Sequence, residues 1–217
     1  MHLDFSQIDF RYIAEGIYTT LEYTVLAAIF GFLWGAVLSL FKISSIALLK
    51  WFAVFYTSIF RGTPLILMIS LVYFATPQLT QYDITALQAG VITLGLNSAA
   101  YISETIRAGI LAVDKGQREA AIALGVPYRQ MMLDIIFPQA FKNILPAMVN
   151  ESIALLKDSA LVSTIGALDI LRRATIVGAN TFLYFEPLIF AALLYYIMVM
   201  LLTLAARSLE RRLRRSD

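Results

Sequence analysis

The sequence predicts an all-α membrane protein: five transmembrane helices, with the N-terminus outside and the C-terminus inside, and one short polar helix in the cytoplasm. Three observations predict it. Apolar residues make up 59% of the 217 residues and charged ones only 15%, a composition too greasy for a soluble globule. Five stretches, at about 18–41, 51–75, 86–109, 136–157 and 188–206, come near the roughly 20 residues that a core of about 30 Å requires. Basic residues, finally, gather on one side of those stretches.

The orientation follows from that last point. The tail residues Arg207, Arg211, Arg212, Arg214 and Arg215 form a stop-transfer cluster that stays in the cytoplasm. An odd number of spans then leaves Asp4, Asp9 and Glu15 outside, with Arg11, while Lys42, Lys50, Lys115, Arg118 and Arg129 fall inside. Arg172 and Arg173 fall outside and are the one discord. No basic region precedes the first apolar stretch, which is also too long for a signal segment, so no cleavage is expected. The chain reads as a single domain over 1–217.

Several function classes are excluded early. The chain has no cysteine, hence no disulfide scaffold and no thiolate metal site. The single histidine, His2, is incidental. There is no Gly-x-x-x-x-Gly-Lys-[Ser/Thr] loop to cradle phosphates and no zinc motif. No cofactor bound by this chain is expected, and no nucleic acid among its partners.

In chain order, residues 7–16 read as a short amphipathic helix on the outer surface. In the first span Ala27, Gly31, Gly35 and Ser39 recur every four residues, a small-residue stripe that lets another helix approach closely. Trp51 beside Lys50 suits an inner interfacial anchor. The second span is broken by Arg61-Gly62-Thr63-Pro64, because the residue before proline avoids the helical region. Arg61 lies about 15 Å along the helix from Trp51, near the midplane. It clamps a carboxylate or braces neighbouring carbonyls. Residues 76–85 read as a short polar outer loop.

The third span places Asn97, Tyr101 and Glu104 on one face; Arg107 lies three residues further on, so Glu104 either pairs with it or faces the site. Asp114 caps a polar helix over 117–124, which Gly125 and Pro127 end. Pro138 and Pro146 bend the helix after it. In the fourth span Glu151 and Asp158 are seven residues apart, two helical turns, with small Ala147 and Ala154 on the same side. That stripe leaves room for a cationic group, unless Lys157 simply neutralises Asp158. Residues 159–186 read as a re-entrant or surface-lying outer segment, which depth tolerates only where protein or a cavity satisfies its backbone.

Four blocks carry a resemblance. They are Phe60-Arg61-Gly62-Thr63-Pro64-Leu65, then Tyr101-Ile102-Ser103-Glu104-Thr105-Ile106-Arg107-Ala108-Gly109-Ile110, then the run from Gly116-Gln117-Arg118-Glu119-Ala120-Ala121 to Gly125 with Ile135-Ile136-Phe137-Pro138, and Leu155-Leu156-Lys157-Asp158-Ser159-Ala160-Leu161. In this order and spacing the chain resembles, from about Gly16 to its end, the permease subunits of polar-amino-acid ABC importers of the histidine/glutamine/arginine type. There are departures. Phe137 stands where the motif usually has Leu, Ser159-Ala160 replaces a Thr-Ser pair, and Glu151 stands where many relatives have a small or neutral polar residue.

The resemblance implies a bacterial inner-membrane location and a loop at about 114–130 that couples to an ATPase. Its coupling residues would be Gly116, Arg118, Glu119, Ala120, Ala121, Gly125, Tyr128 and Arg129. Glu119 makes a charged contact in the ATPase cleft or caps its own helix. The implied partners are a second permease subunit, identical or related, two cytoplasmic ATPase subunits that use ATP and magnesium, and an external solute-binding protein. Such a chain is a transport subunit and not an enzyme.

A polar amino acid carries both charges, so a midplane site must offer both signs. Arg61 is the candidate for the carboxylate. Glu151, Asp158, Glu104, Glu22, Asn97 and Tyr101 are the candidates for the rest. Glu151 has no basic partner on its own helical face, which points to a basic substrate: arginine, lysine or histidine. The alternatives are glutamine or another polar amino acid in the same type of importer, or a self-sufficient secondary transporter or channel. The last usually shows internal repeats, and none is seen here.

Overall fold

The computed structural model describes residues 8–214, with side chains as far as Ser208, and its described residues are mostly helical with no strand. His2, Asp4 and Arg215 lie outside them. The expected all-α class is borne out.

Helix α1 (Phe10–Ile43) runs 34 residues, about 51 Å at ~1.5 Å per residue. The Asp9 carboxylate accepts from the Tyr12 N–H and starts it. The separate surface helix expected over 7–16 is therefore not there. Nothing between Phe10 and the apolar run breaks the helix, because Gly16 stays helical and spends its missing side chain on packing. A Cβ on Gly16 would sit 2.6 Å from the backbone nitrogen of Ile170.

Helices α2 (Ala47–Gly62) and α3 (Leu65–Thr80) replace the single second span and meet at 101°. Thr63, before proline, is extended, and Pro64 has no N–H to continue α2. The expected polar loop 76–85 is also shorter than read. Pro77 lies inside α3, and the turn comes only at Gln81, whose N–H donates to the Pro77 carbonyl. Thr85 and Gln88 then form a capping box that opens helix α4 (Ala86–Leu111).

α4 lies flat against α1. All four stripe residues Ala27, Gly31, Gly35 and Ser39 are buried. A Cβ on Gly35 would come 2.7 Å from Ile102 Cγ2, and one on Gly31 would come 3.1 Å from the Gly95 carbonyl. Helix α5 (Lys115–Ala123) follows, then a single turn α6 (Tyr128–Gln130), a π-helical turn over Met131–Ile136 and helix α7 (Phe137–Asp158). The wide turn has a cause. Pro138 cannot donate a hydrogen bond and crowds the preceding turn, and a π-bulge absorbs both defects. Pro146 is carried inside α7.

A 3₁₀ turn (Ser159–Ile165) ends at Gly166 in the left-handed region, and helix α8 (Ile170–Thr181) leads to α9 (Phe185–Arg214). The segment 159–186 is thus a folded cap at the N-terminal end of α1. Asp169 is fully buried and accepts from the Arg172 N–H at 2.9 Å and the Tyr195 hydroxyl at 3.1 Å. Burial pushes its carboxyl above the ordinary range, against those hydrogen bonds. The discordant Arg173 is accounted for here. It donates to Glu15 at 3.1 Å and lies over the Tyr12 ring.

One core joins Tyr23, Ile69, Leu94, Leu155 and Val162 at mid-bundle. A second, at the α5 end, joins Ile106, Ile110, Met131, Ile136 and Ile144. Among the described residues α1 and Phe185–Ser208 are long and apolar enough to cross a membrane, and the bent α2–α3 pair is a third candidate. α4 and α7 are not among these. They carry the polar residues of the site.

Candidate functional site

The break between α2 and α3 opens one wall of a cavity of about 450 Å³. Thr63, Pro64 and Leu65 come from the break, Asn97, Ser98 and Tyr101 from α4, and Glu151, Ala154, Leu155 and Asp158 from α7. Four sequence candidates, Asn97, Tyr101, Glu151 and Asp158, therefore line one space. A second recess of about 330 Å³ on the α1 side shares Ser98, Glu151 and Leu155 with it. Glu151 thus stands where the two spaces meet.

Their placement follows from helix geometry. Asn97 and Tyr101 are one turn apart on α4, and Glu151 and Asp158 two turns apart on α7, about 10.5 Å along its axis. Ala147 and Ala154 keep that side of α7 small. Asn97 is buried and both carboxylates are half-buried, with no hydrogen bond to either among the described residues. Arg61, in the last turn of α2, lies over the Tyr101 ring at 5.2 Å, a cation–π contact that aims it toward this wall.

Arg61 itself is not among the residues that line the cavity, and two further candidates stand apart from it. Glu104 is gripped by Lys42 Nζ at 2.6 Å and by Arg107 Nε at 2.9 Å. The Arg107 pairing was legible from the sequence; Lys42 was missed. Lys42 lies three residues past Ser39, so it extends the stripe that faces α4, and that was the available signal. Its side chain is only 2% exposed and also donates to Ser103 Oγ. Glu22 is half-buried on α1 and does not line the cavity. Thr63, Pro64 and Ser98 line it and were not among the substrate candidates read from the sequence. Nor does an ion pair join Lys157 to Asp158, its neighbour in sequence, among the described residues.

At the other site, Asp114 caps α5 as expected, accepting from the Gly116 N–H at 2.7 Å. Gly116 therefore lies within the first turn of α5, where a Cβ would come 2.8 Å from Asp114 Oδ1. Gly125 has a φ of +70°, and a Cβ there would meet nothing within 4 Å. Gly116, Arg118, Glu119, Ala120, Tyr128 and Arg129 are exposed, whereas Ala121 is buried against the π turn's core. Ile122, Leu124 and Tyr128 are 63%, 81% and 66% exposed, exposed apolar residues at the end of α5 and in the turn after it.

Helices that turn their polar residues onto a shared cavity, beside an exposed capped helix, define a membrane permease. The chain belongs to the family of binding-protein-dependent transport system inner membrane components, whose family model matches residues 27–215. It is 55% identical over 221 residues, all of both chains, to the arginine transport system permease protein ArtQ of Bacillus subtilis (strain 168). It is 52% identical over 202 residues, 93% of each chain, to the putative glutamine transport system permease protein GlnP of Rickettsia bellii. A solved structure described as an amino acid ABC transporter with histidines superposes with a TM-score of 0.93 at 43% identity. It covers 98% of this chain and 100% of that one. The resemblance read from the four motif blocks is borne out, and the chain is a transport component.

Proposed function

We propose that this chain is the permease subunit of an ATP-driven importer of basic amino acids in a bacterial inner membrane. Its five spans are α1, the bent α2–α3 pair, α4, α7 and the apolar part of α9, with the N-terminus outside and the C-terminus inside. Two permease subunits form the passage, two ATPase subunits use ATP and magnesium in the cytoplasm, and an external solute-binding protein delivers the substrate. The exposed apolar residues Ile122, Leu124 and Tyr128 at the end of α5 and just after it, with Arg118, Glu119 and Arg129 nearby, form the surface that suits an ATPase cleft. Gly125 lets that helix tilt as a rigid lever.

The observation that carries the substrate reading is the pair Glu151 and Asp158, without a hydrogen bond or ion pair among the described residues, in a cavity that Asn97 and Tyr101 share. An unpaired carboxylate away from bulk water costs free energy, and a guanidinium, ammonium or imidazolium group relieves that cost. Arg61, held over Tyr101, takes the substrate carboxylate. Glu104 is engaged by Lys42 and Arg107, and Glu22 lies off the wall, so neither carries the argument. The identity to an arginine permease supports this reading; the identity to a putative glutamine permease supports the same importer with a neutral substrate. The purified complex with its ATPase, screened against the twenty amino acids for binding and uptake, decides between them. Arginine, lysine or histidine should bind best, and a preference for glutamine overturns the basic assignment.

A further inference from the structure

The cap at the N-terminal end of α1 holds a carboxylate that no cation neutralises. Asp169 is fully buried, and among the described residues no ion pair reaches it. One of its oxygens accepts from the Arg172 N–H at 2.9 Å and caps α8; the other accepts from the Tyr195 hydroxyl at 3.1 Å. Capping alone does not call for the charge, because asparagine caps a helix about as well as aspartate. What the carboxylate adds is direction. Ionised, it can only accept, so the Tyr195 proton is committed to it and the phenol oxygen is left to accept from others.

Two further hydroxyls, those of Thr20 and Ser159, neighbour that oxygen, and both residues are fully buried. Thr20 Oγ1 also accepts from the Ile170 N–H at 3.4 Å, and Ser159 Oγ donates to the Leu156 carbonyl at 2.8 Å. One phenol thus joins α1, the end of α7, the start of α8 and α9. Ser159 is the residue after Asp158, where α7 gives way to the 3₁₀ turn. The Asp158 carboxylate lines the cavity, and no hydrogen bond holds it among the described residues, so its place is set by its backbone. We propose that Asp169 and Tyr195 are positioning residues for the transported cation: through Ser159 they hold Asp158 at its distance from Glu151.

Glu151 lies two turns back along α7, about 10.5 Å on its axis, within the regular part of the helix. Asp158 stands at the helix end, where the chain can shift unless something grips it. A binding group must stand within about 0.5 Å of its productive place, held there by a supporting shell. A loosened turn lets the Asp158 carboxylate drift and weakens its grip on a cationic group, while Asn97, Tyr101 and Glu151 stay where they are. Neither Asp169 nor Tyr195 lines the cavity, so their effect passes through Ser159 and Asp158. This inference rests on the reading of that cavity as the site of a basic substrate.

Tyr195→Phe removes the hydroxyl and keeps the ring. In the full chain reconstituted with its ATPase, arginine uptake by this variant should show a KM raised by about 2- to 10-fold, the loss of one hydrogen bond, with a maximal rate near wild type. Asp158→Asn should raise the KM as well. In the Asp158→Asn background Tyr195→Phe should move the KM no further, because the group it positions has lost its charge. A merely structural residue would act in both backgrounds alike. An equal rise in both, or a lowered maximal rate with the KM unmoved, overturns the proposal. Ser159→Ala reads the same link from its other end and must behave as Tyr195→Phe does; it decides alone if the tyrosine variant does not insert. An arginine KM unmoved by Asp158→Asn overturns the reading of the cavity itself, whatever Tyr195→Phe does. A KM raised by Asp158→Asn and unmoved by Tyr195→Phe overturns the positioning and leaves that reading standing.

Discussion

Lys42 Nζ and Glu104 Oε1 lie 2.6 Å apart, and the pair ties the last turn of α1 to α4. Arg107 holds the other carboxylate oxygen, and Ser103 Oγ accepts a second bond from Lys42. Removing Lys42 leaves Glu104, 28% exposed, with Arg107 as its remaining partner, so the loss stays below the ~3–5 kcal/mol of a fully stranded buried charge. Lys42→Met should therefore lower the thermal midpoint of the detergent-purified chain by several degrees. Lys42→Met with Glu104→Gln should recover part of that loss. A double variant no more stable than the single one would show that the pairing is not the cause.

The glycines of α1 give a packing prediction. A Cβ on Gly35 meets Ile102 and the Ala99 carbonyl at 2.7–3.0 Å, and backbone cannot yield as a flexible side chain can. Gly35→Leu should destabilise by at least the ~1–3 kcal/mol typical of overpacking. Gly62→Ala, where nothing lies within 4 Å, is the matched comparison. Equal stability of the two variants would contradict the close approach of α1 to α4.

Gly125 separates fold from coupling. Its surroundings are open but its φ is +70°, so a side chain there meets backbone strain of roughly 1–2 kcal/mol and no clash. Gly125→Trp should reach the membrane at near wild-type level yet lose uptake and substrate-stimulated ATP hydrolysis. Normal uptake by this variant would remove the loop 114–130 from the ATPase contact.

Topology is tested at the chain ends, which lie outside the described residues. Ser6→Cys should react with a membrane-impermeant maleimide in intact cells, and Ser216→Cys only after lysis. Labelling of Ser216→Cys in intact cells would invert the orientation.

Much of this was legible because it is local. The break at Thr63-Pro64, the Asp114 cap, the helix end at Gly125 and the Gly31/Gly35 stripe are each dictated by a residue and its neighbours in sequence. The cavity was legible in part, since Asn97 with Tyr101 and Glu151 with Asp158 share faces by spacing alone. The long-range contacts escaped. Lys42 meets Glu104 across 62 positions, and Gly16 meets Ile170 across the fold, so a helix expected to stop ran straight through. The Thr85–Gln88 capping box was local and was still missed, because the polar run 76–85 read as loop.

The last prediction concerns selectivity. Glu151 stands where the two recesses meet, without a hydrogen-bond partner among the described residues, and Glu151→Gln keeps its shape while removing its charge. A hydrogen bond to a charged group contributes about 1.5–3 kcal/mol, which corresponds to roughly a 10- to 100-fold change in affinity. Arginine uptake by the reconstituted complex should therefore show a KM raised by about that factor. Because glutamine has no cationic side chain to lose, its weak uptake should be unchanged or improved. Lys42→Met, remote from the cavity wall, should affect both substrates alike, which distinguishes selectivity from general damage. An arginine KM unmoved by Glu151→Gln would end the case for a basic substrate held at this carboxylate.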